Sequence, residues 1–161
     1  MIEADRIKIQ AISLQDIARF SEYRDKEEVA MYQSWDEYPL NKAINRIEYC
    51  QKHPFHGQIG NYQFGLYLKE NNRLIGDIFI EIDGHTTFTL GYTLDSVYWS
   101  KGYASEALKS VFKAMHETYS FKICLCHVYE DNIKSINLLE RNGFDKIHKS
   151  WFYQDVLYRK M

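Results

Sequence analysis

Polar and apolar residues alternate with period two from Arg6 to Ile12, the pattern of a strand with one buried face. The period then lengthens. Ser13 is a suitable N-cap, Gln15 and Asp16 fill a first turn, and Leu14, Ile17, Ala18 and Phe20 place an apolar stripe along one side of a helix. Lys26 to Met31 predicts a short second helical piece. Ala43 to Cys50, after Pro39 and Asn41, predicts a third, and Gly57 and Gly60 close this helical region. From Tyr62 the period returns to two: Tyr62 to Leu68 and Leu74 to Ile82 predict a hairpin about Glu70-Asn71-Asn72, and Asp83-Gly84-His85 leads into a strand from Thr86 to Leu94. Ala107, Leu108, Val111, Phe112 and Met115 repeat at helical spacing to about Tyr119, and strand Lys122 to Tyr129 follows. A short helix, Ile133 to Arg141, ends at Asn142-Gly143, where Gly fits the left-handed position after a helix. Phe144 to Trp151 and Val156 to Met161 read as two closing strands. The order is strand, helices, three antiparallel strands, helix, strand, helix, two strands, an α+β arrangement.

The helix after the central strands starts unusually. In Tyr98-Trp99-Ser100-Lys101-Gly102-Tyr103-Ala104-Ser105-Glu106, a small-residue turn carrying a Gly runs directly into helical sequence. The first turn of a helix has backbone N–H groups without internal partners and carries the positive end of the macrodipole, so this segment suits phosphate oxygens. A phosphorylated cofactor is the expected ligand.

Composition narrows the field. With 161 residues, 45% hydrophobic and 26% charged, the chain suits one domain, 1–161, with a continuous core. A formal charge of -2 gives no basic footprint for nucleic acid. No apolar stretch approaches the roughly 20 residues that cross a bilayer, and Met1 to Arg6 lacks the form of a signal peptide, so no membrane partner and a cytoplasmic location are expected. Three cysteines agree with a reducing compartment: Cys124 and Cys126 share one strand face and read as a buried thiol pair. His127 points to the opposite face from Cys126 and so does not activate that thiol. Cys50, His53 and His56 offer three metal ligands, but Pro54 interrupts the helix that would align them, and no metal is expected. Aromatic residues make up 16% of the chain, which fits either amphipathic packing or an aromatic-lined groove.

The element order, the Trp99-to-Ala104 turn, and the later Asn132-Ile133-Lys134-Ser135 with Asn142-Gly143-Phe144 together resemble the GNAT acyltransferases, especially their ribosomal-protein N-acetyltransferase-like branch. The resemblance covers essentially the whole chain. The family's turn is usually Arg/Gln-x-x-Gly-x-Gly/Ala; here Trp99 stands first, with Gly102 and Ala104 in register. The resemblance implies a mixed, mostly antiparallel sheet of six to seven strands, with helices on both faces, splayed between its fourth and fifth strands so that acetyl-CoA enters the gap. Backbone groups of Tyr92, Thr93 and Leu94 would pair with the pantetheine arm like an added strand. Ser100, Lys101, Gly102, Tyr103, Ala104 and Ser105 would hold the pyrophosphate, with Lys101 equally readable as a surface cation. Asn132 matches a position that bonds the cofactor arm and is also a natural N-cap; Ser135 matches one near the arm's far end.

The reaction so implied is attack of a primary amine on the acetyl thioester within a ternary complex. The amine must lose a proton, the oxyanion needs a donor, and the departing thiolate an acid. The chain departs from the common pattern, with Leu139 where many members carry a Tyr acid and Thr89 near the usual Glu base. Glu81, Asp83, Tyr92, Tyr129 and Glu130 remain as candidates, Glu81 being chosen as a water-mediated base and Tyr92 as a further catalytic group. Tyr32, Trp35 and Tyr38 belong to a region that forms one wall of the acceptor site in relatives, or else cap the sheet. The acceptor is a protein N-terminus or a small amine, and a cationic one would suit the acidic Asp36, Glu37, Glu81 and Asp83. A homodimer is left open. A non-catalytic acyl-CoA-binding module is the competing reading.

Overall fold

The computed structural model describes residues 1–149 and 155–161. Its elements are β1 (Ile2–Glu3), β2 (Ile7–Gln10), α1 (Ile17–Arg24), α2 (Glu27–Ala30), α3 (Leu40–Lys52), β3 (Gly60–Leu68), β4 (Leu74–Ile82), β5 (Thr87–Leu94), α4 (Tyr103–Tyr119), β6 (Ile123–Tyr129), α5 (Ile133–Arg141), β7 (Asp145–Lys149) and β8 (Asp155–Lys160). The strands form one sheet in the order β1-β2-β3-β4-β5-β6-β8-β7. Every pairing is antiparallel except that of β5 with β6.

Among the described residues the sheet therefore has eight strands, not six to seven. The addition is β1, whose two residues pair with Ile9 and Lys8; so short a strand carries no periodicity to read. It shifts the expected gap to between β5 and β6. The first expected strand shrinks to four residues, and α3 extends at both ends, starting after Pro39, whose extended backbone (ψ 160°) suits the residue before a helix, and ending before Pro54. The end of the strand expected to run to Trp151 lies outside the described residues.

Helices cover both faces. Alternation on β4 turns Ile78, Ile80 and Ile82 toward α4, where they meet Ala107, Leu108, Val111 and Met115 in the larger core, joined by Leu138 and Leu139 of α5. The other face packs Phe20, Tyr23, Ala43 and Ile47 of α1 and α3 against Tyr67 and Leu74. Leu139 is fully buried, so the position that often carries an acid in the family is a core position here.

A buried ion pair fixes the α1 layer. Asp77 of β4, 1% exposed, accepts from Arg24 Nη1 at 2.7 and 2.8 Å, from Tyr23 Oη at 2.5 Å and from Gln63 Nε2 at 2.5 Å. The guanidinium of Arg24 lies 3.8 Å from the Trp35 ring centroid and 4.3 Å from that of Tyr38. Four contacts to one carboxylate offset the cost of taking it out of water, and they tie α1, β3 and β4 together.

Candidate active site

Parallel pairing of β5 and β6 lasts for three residue pairs, Thr87 with Ile123, Phe88 with Cys124 and Thr89 with Leu125. Beyond them β5 stays with β4 as far as Leu94 and β6 stays with β8 as far as Tyr129, so the two strands part. The cleft between them is lined by Leu90, Gly91 and Tyr92 on one side and Cys126, His127, Val128 and Tyr129 on the other. Asn132 and Ser135 of α5 line it too, as do Tyr32 and Gln33 from the α2–α3 connection.

Strand alternation decides which backbone groups face this cleft. The Asp95 N–H donates to Ile75 O at 3.0 Å, on the β4 side. Leu94 O instead accepts from the Trp99 indole N–H at 2.9 Å. Successive residues of a strand point their N–H and C=O groups to opposite sides, so Thr93 and Gly91 turn toward β4 while Leu90 and Tyr92 turn toward the cleft. Of Tyr92, Thr93 and Leu94, only Tyr92 thus presents backbone groups to the cleft without an engaged carbonyl.

The Tyr92 side chain crosses the gap to Ser135, its Oη in hydrogen-bond contact with Ser135 Oγ. Burial pushes the phenol's pKa well above its ordinary value of 10.0, against the opposing effect of the Ser135 contact. Tyr92 is therefore protonated at working pH. Asn132 lines the cleft and also caps α5, its Oδ1 accepting from Ser135 N at 3.2 Å.

Past the end of β5, Ser100 (φ 61°) and Gly102 (φ 86°) shape the turn before α4. Gly102 adopts a left-handed conformation that other residues resist, and as N-cap it supplies no side chain to occupy the first-turn N–H groups. A Cβ there would meet only Arg6 Nη2, at 3.2 Å. Arg6 is a residue that sequence reasoning missed. Its N and Nε donate to Glu106 at 2.6 and 2.8 Å, its Nη1 donates to Lys101 O at 2.9 Å, and its guanidinium lies 4.4 Å from the Tyr103 ring centroid. Some 95 residues separate it from the turn, so no local pattern points to it. Uncapped N–H groups, a side-chain-free Gly and the cations of Arg6 and Lys101 fit a pyrophosphate. Tyr103 and Ala104 form the first turn of α4, whereas the Ser105 hydroxyl is engaged with Asn142 Oδ1 at 2.7 Å.

The remaining expected residues divide. Tyr32 lines the cleft. Trp35 donates its indole N–H to Arg24 O at 3.0 Å and packs on the Arg24 guanidinium, while Tyr38 is buried in the smaller core. Glu81 is exposed on β4, opposite Asn61 and Thr89, one strand away from the cleft. His127, set aside in the sequence because it faces away from Cys126, lines the cleft with its Nδ1 3.2 Å from Asp155 Oδ2 of β8. The alternation that separates it from the thiol is what turns it to the outer face of the sheet, the face that carries Glu81.

Comparison with known proteins agrees with this geometry. The "Acetyltransferase (GNAT) domain" family matches residues 6–145. The Bacillus subtilis protein named "Probable N-acetyltransferase YjcK" is 33% identical over 132 residues, covering 78% of this chain and 71% of that one. The crystal structure of a GNAT-family acetyltransferase from Bacillus anthracis superposes with a TM-score of 0.85 at 20% identity, covering 99% of this chain and 97% of that one. RimL, a ribosomal L7/L12 alpha-N-protein acetyltransferase solved with coenzyme A, superposes with a TM-score of 0.81 at 13% identity, over 99% and 97% of the two chains. With the family match spanning most of its length, the parted β5–β6 pair and the glycine turn before α4 belong to a member of the GNAT acetyltransferases.

Proposed function

We propose that this chain transfers the acetyl group of acetyl-CoA to a primary amine by direct attack in a ternary complex. The observation that carries the reading is the parting of β5 from β6 after Thr89, which leaves the Leu90 and Tyr92 backbones facing a cleft, with the uncapped first turn of α4 following β5 in the chain. In this reading the Gly102 turn, with Arg6 and Lys101, binds the pyrophosphate, and Tyr92 adds the thioester arm to the sheet as a short extra strand. Asn132 and Ser135 border the same arm.

Tyr92 supplies more than backbone. A phenol held protonated beside Ser135 can give a hydrogen bond to the developing negative charge, suited to steadying the thiolate that leaves as CoA. Glu81 presents its carboxylate on the acceptor face, where its charge favours an incoming ammonium. Tyr32 lines the cleft from the α2–α3 connection, which also carries Trp35. The acceptor is a protein N-terminus or a small amine; the first accords with the named substrate of RimL, the second with the exposed Asp36, Glu37 and Glu81.

Release of free CoA, followed with a thiol reagent across a panel of peptides, polyamines and amino acids, tests the proposal. Amine-dependent release is expected. Acetyl-CoA binding without release for any amine favours instead a module that keeps the cleft and has lost turnover, a reading motivated by Leu139, which lies in the core, and by Thr89.

A further inference from the structure

An amine arrives mostly as its ammonium and attacks only after losing a proton, so something on the acceptor side must accept that proton. The groups lining the cleft are mainly phenols, amides, hydroxyls and carbon. Tyr92 is held protonated by burial, Cys126 faces the core, and Glu81 stands a strand away. One nitrogen base is among the cleft-lining side chains, His127.

Its surroundings define its chemistry. A carboxylate can only accept a hydrogen bond, so the contact of Nδ1 with Asp155 Oδ2 at 3.2 Å places the ring proton on Nδ1 and leaves the Nε2 lone pair free. The side chain is 56% exposed, so Nε2 can be reached by an acceptor and return its proton to water. Both residues are placed by the sheet: β6 and β8 pair with Tyr129 opposite Asp155 and His127 opposite Leu157, which brings the two side chains together diagonally on one face.

Resting on the transferase reading above, we infer that His127 is the general base for the acceptor amine and that Asp155 is its positioning residue. Nε2 takes one proton from the ammonium, and the neutral nitrogen attacks the thioester carbon. The C–S bond breaks with its electron pair passing to sulfur, which Tyr92 is placed to steady by a hydrogen bond, and the second amine proton reaches the thiolate. The imidazolium returns its proton to solvent. Net, one ammonium and one thioester give one amide, one thiol and one free proton. Asp155 keeps the ring in the tautomer that has Nε2 unprotonated.

The test compares His127→Ala, Asp155→Asn and the parent chain with two acceptors: the most active alkylamine of the panel, and an arylamine already neutral at the assay pH. For His127→Ala the expected result is a kcat lower by about 100-fold or more with the alkylamine. Little change is expected with the arylamine or in acetyl-CoA affinity, with partial restoration by added imidazole. Asp155→Asn should fall in the same acceptor-selective way, because an amide, unlike a carboxylate, can also donate to Nδ1 and so admits the tautomer with the proton on Nε2. Equal losses with both acceptors would mark His127 as structural, and an unchanged alkylamine rate would remove it as the base; either overturns the inference while leaving the transferase reading intact. A parent chain that acetylates no amine overturns both.

Discussion

Replacing Asp77 with Ala asks whether the buried ion pair holds the α1 layer on the sheet. The substitution removes the acceptor of Arg24, Tyr23 and Gln63 together and leaves a guanidinium that is 5% exposed without its counter-charge. Removing one partner of such a pair costs about 3–5 kcal/mol, because the remaining charge stays desolvated. For a chain of this size each kcal/mol shifts Tm by roughly 2–4 °C, so the midpoint should fall by roughly 6–20 °C. Urea unfolding followed by tryptophan fluorescence is the suitable assay, since Trp35 stacks on Arg24 at 3.8 Å and reports the site directly. The double variant Arg24→Met, Asp77→Val removes both charges and should recover about 2 kcal/mol relative to Asp77→Ala, with Tyr23 and Gln63 still lacking their acceptor. A loss below about 1 kcal/mol for Asp77→Ala, or a double variant no more stable than the single one, would refute the reasoning.

Gly102→Glu sets a carboxylate in the proposed pyrophosphate turn and should weaken acetyl-CoA binding by about 100-fold, about 2.7 kcal/mol, by calorimetry. Gly102→Ala, which bears the left-handed strain of about 1–2 kcal/mol and a small displacement of the Arg6 side chain but adds no charge, separates folding from binding. Tyr92→Phe keeps the packing and removes the donor, so kcat should fall about 100-fold at unchanged acetyl-CoA affinity; an unaltered kcat shows that the phenol does not steady the leaving thiolate. Glu81→Gln should raise KM for cationic amines by about threefold, a surface-charge effect of about 0.7 kcal/mol. A kcat loss matching that of His127→Ala would instead place proton transfer at Glu81. For Asp95, burial raises the carboxyl's pKa, but hydrogen bonds from Lys26 and Arg19 outweigh it and the net value lies below the ordinary 3.8. A depressed folded pKa contributes stability that is complete above the ordinary value and disappears as pH falls through the depressed one. The Tm difference between the parent and Asp95→Asn should accordingly be full at neutral pH and shrink below pH 3.8, by calorimetry.

Periodicity located the interior elements because each has one buried face. It gave α5 at Ile133–Arg141 and the close of α4 at Tyr119, and placed Gly143 (φ 79°) just past the end of α5. It failed where an element is short or defined by its partner: β1 exists only through Ile9 and Lys8. The Gly102 turn was legible because its conformation is local. Arg6 at that turn, and the His127–Asp155 contact 28 residues apart in sequence, were not, because each arises from strand register and sheet order. Asp77 reads as one polar residue in an apolar strand; only the packing of α1 shows that it anchors a layer. The strand parity that turns His127 away from Cys126 is also what delivers it to the cleft, and that second effect depends on the parting of β5 from β6, which no local pattern carries.

A seam only three residue pairs wide has a consequence for how the molecule breathes. The halves β1–β5 and β6–β8 meet edge to edge along Thr87–Thr89 and Ile123–Leu125, so the sheet hinges most easily there. A ligand that bridges the parted edges acts as a splint, adding about 2.7 kcal/mol when present at 100 times its Kd. Amide hydrogen exchange should register this at Leu90 and Tyr92, whose N–H groups face the gap, well before it reaches Gly91 and Thr93, which β4 already holds.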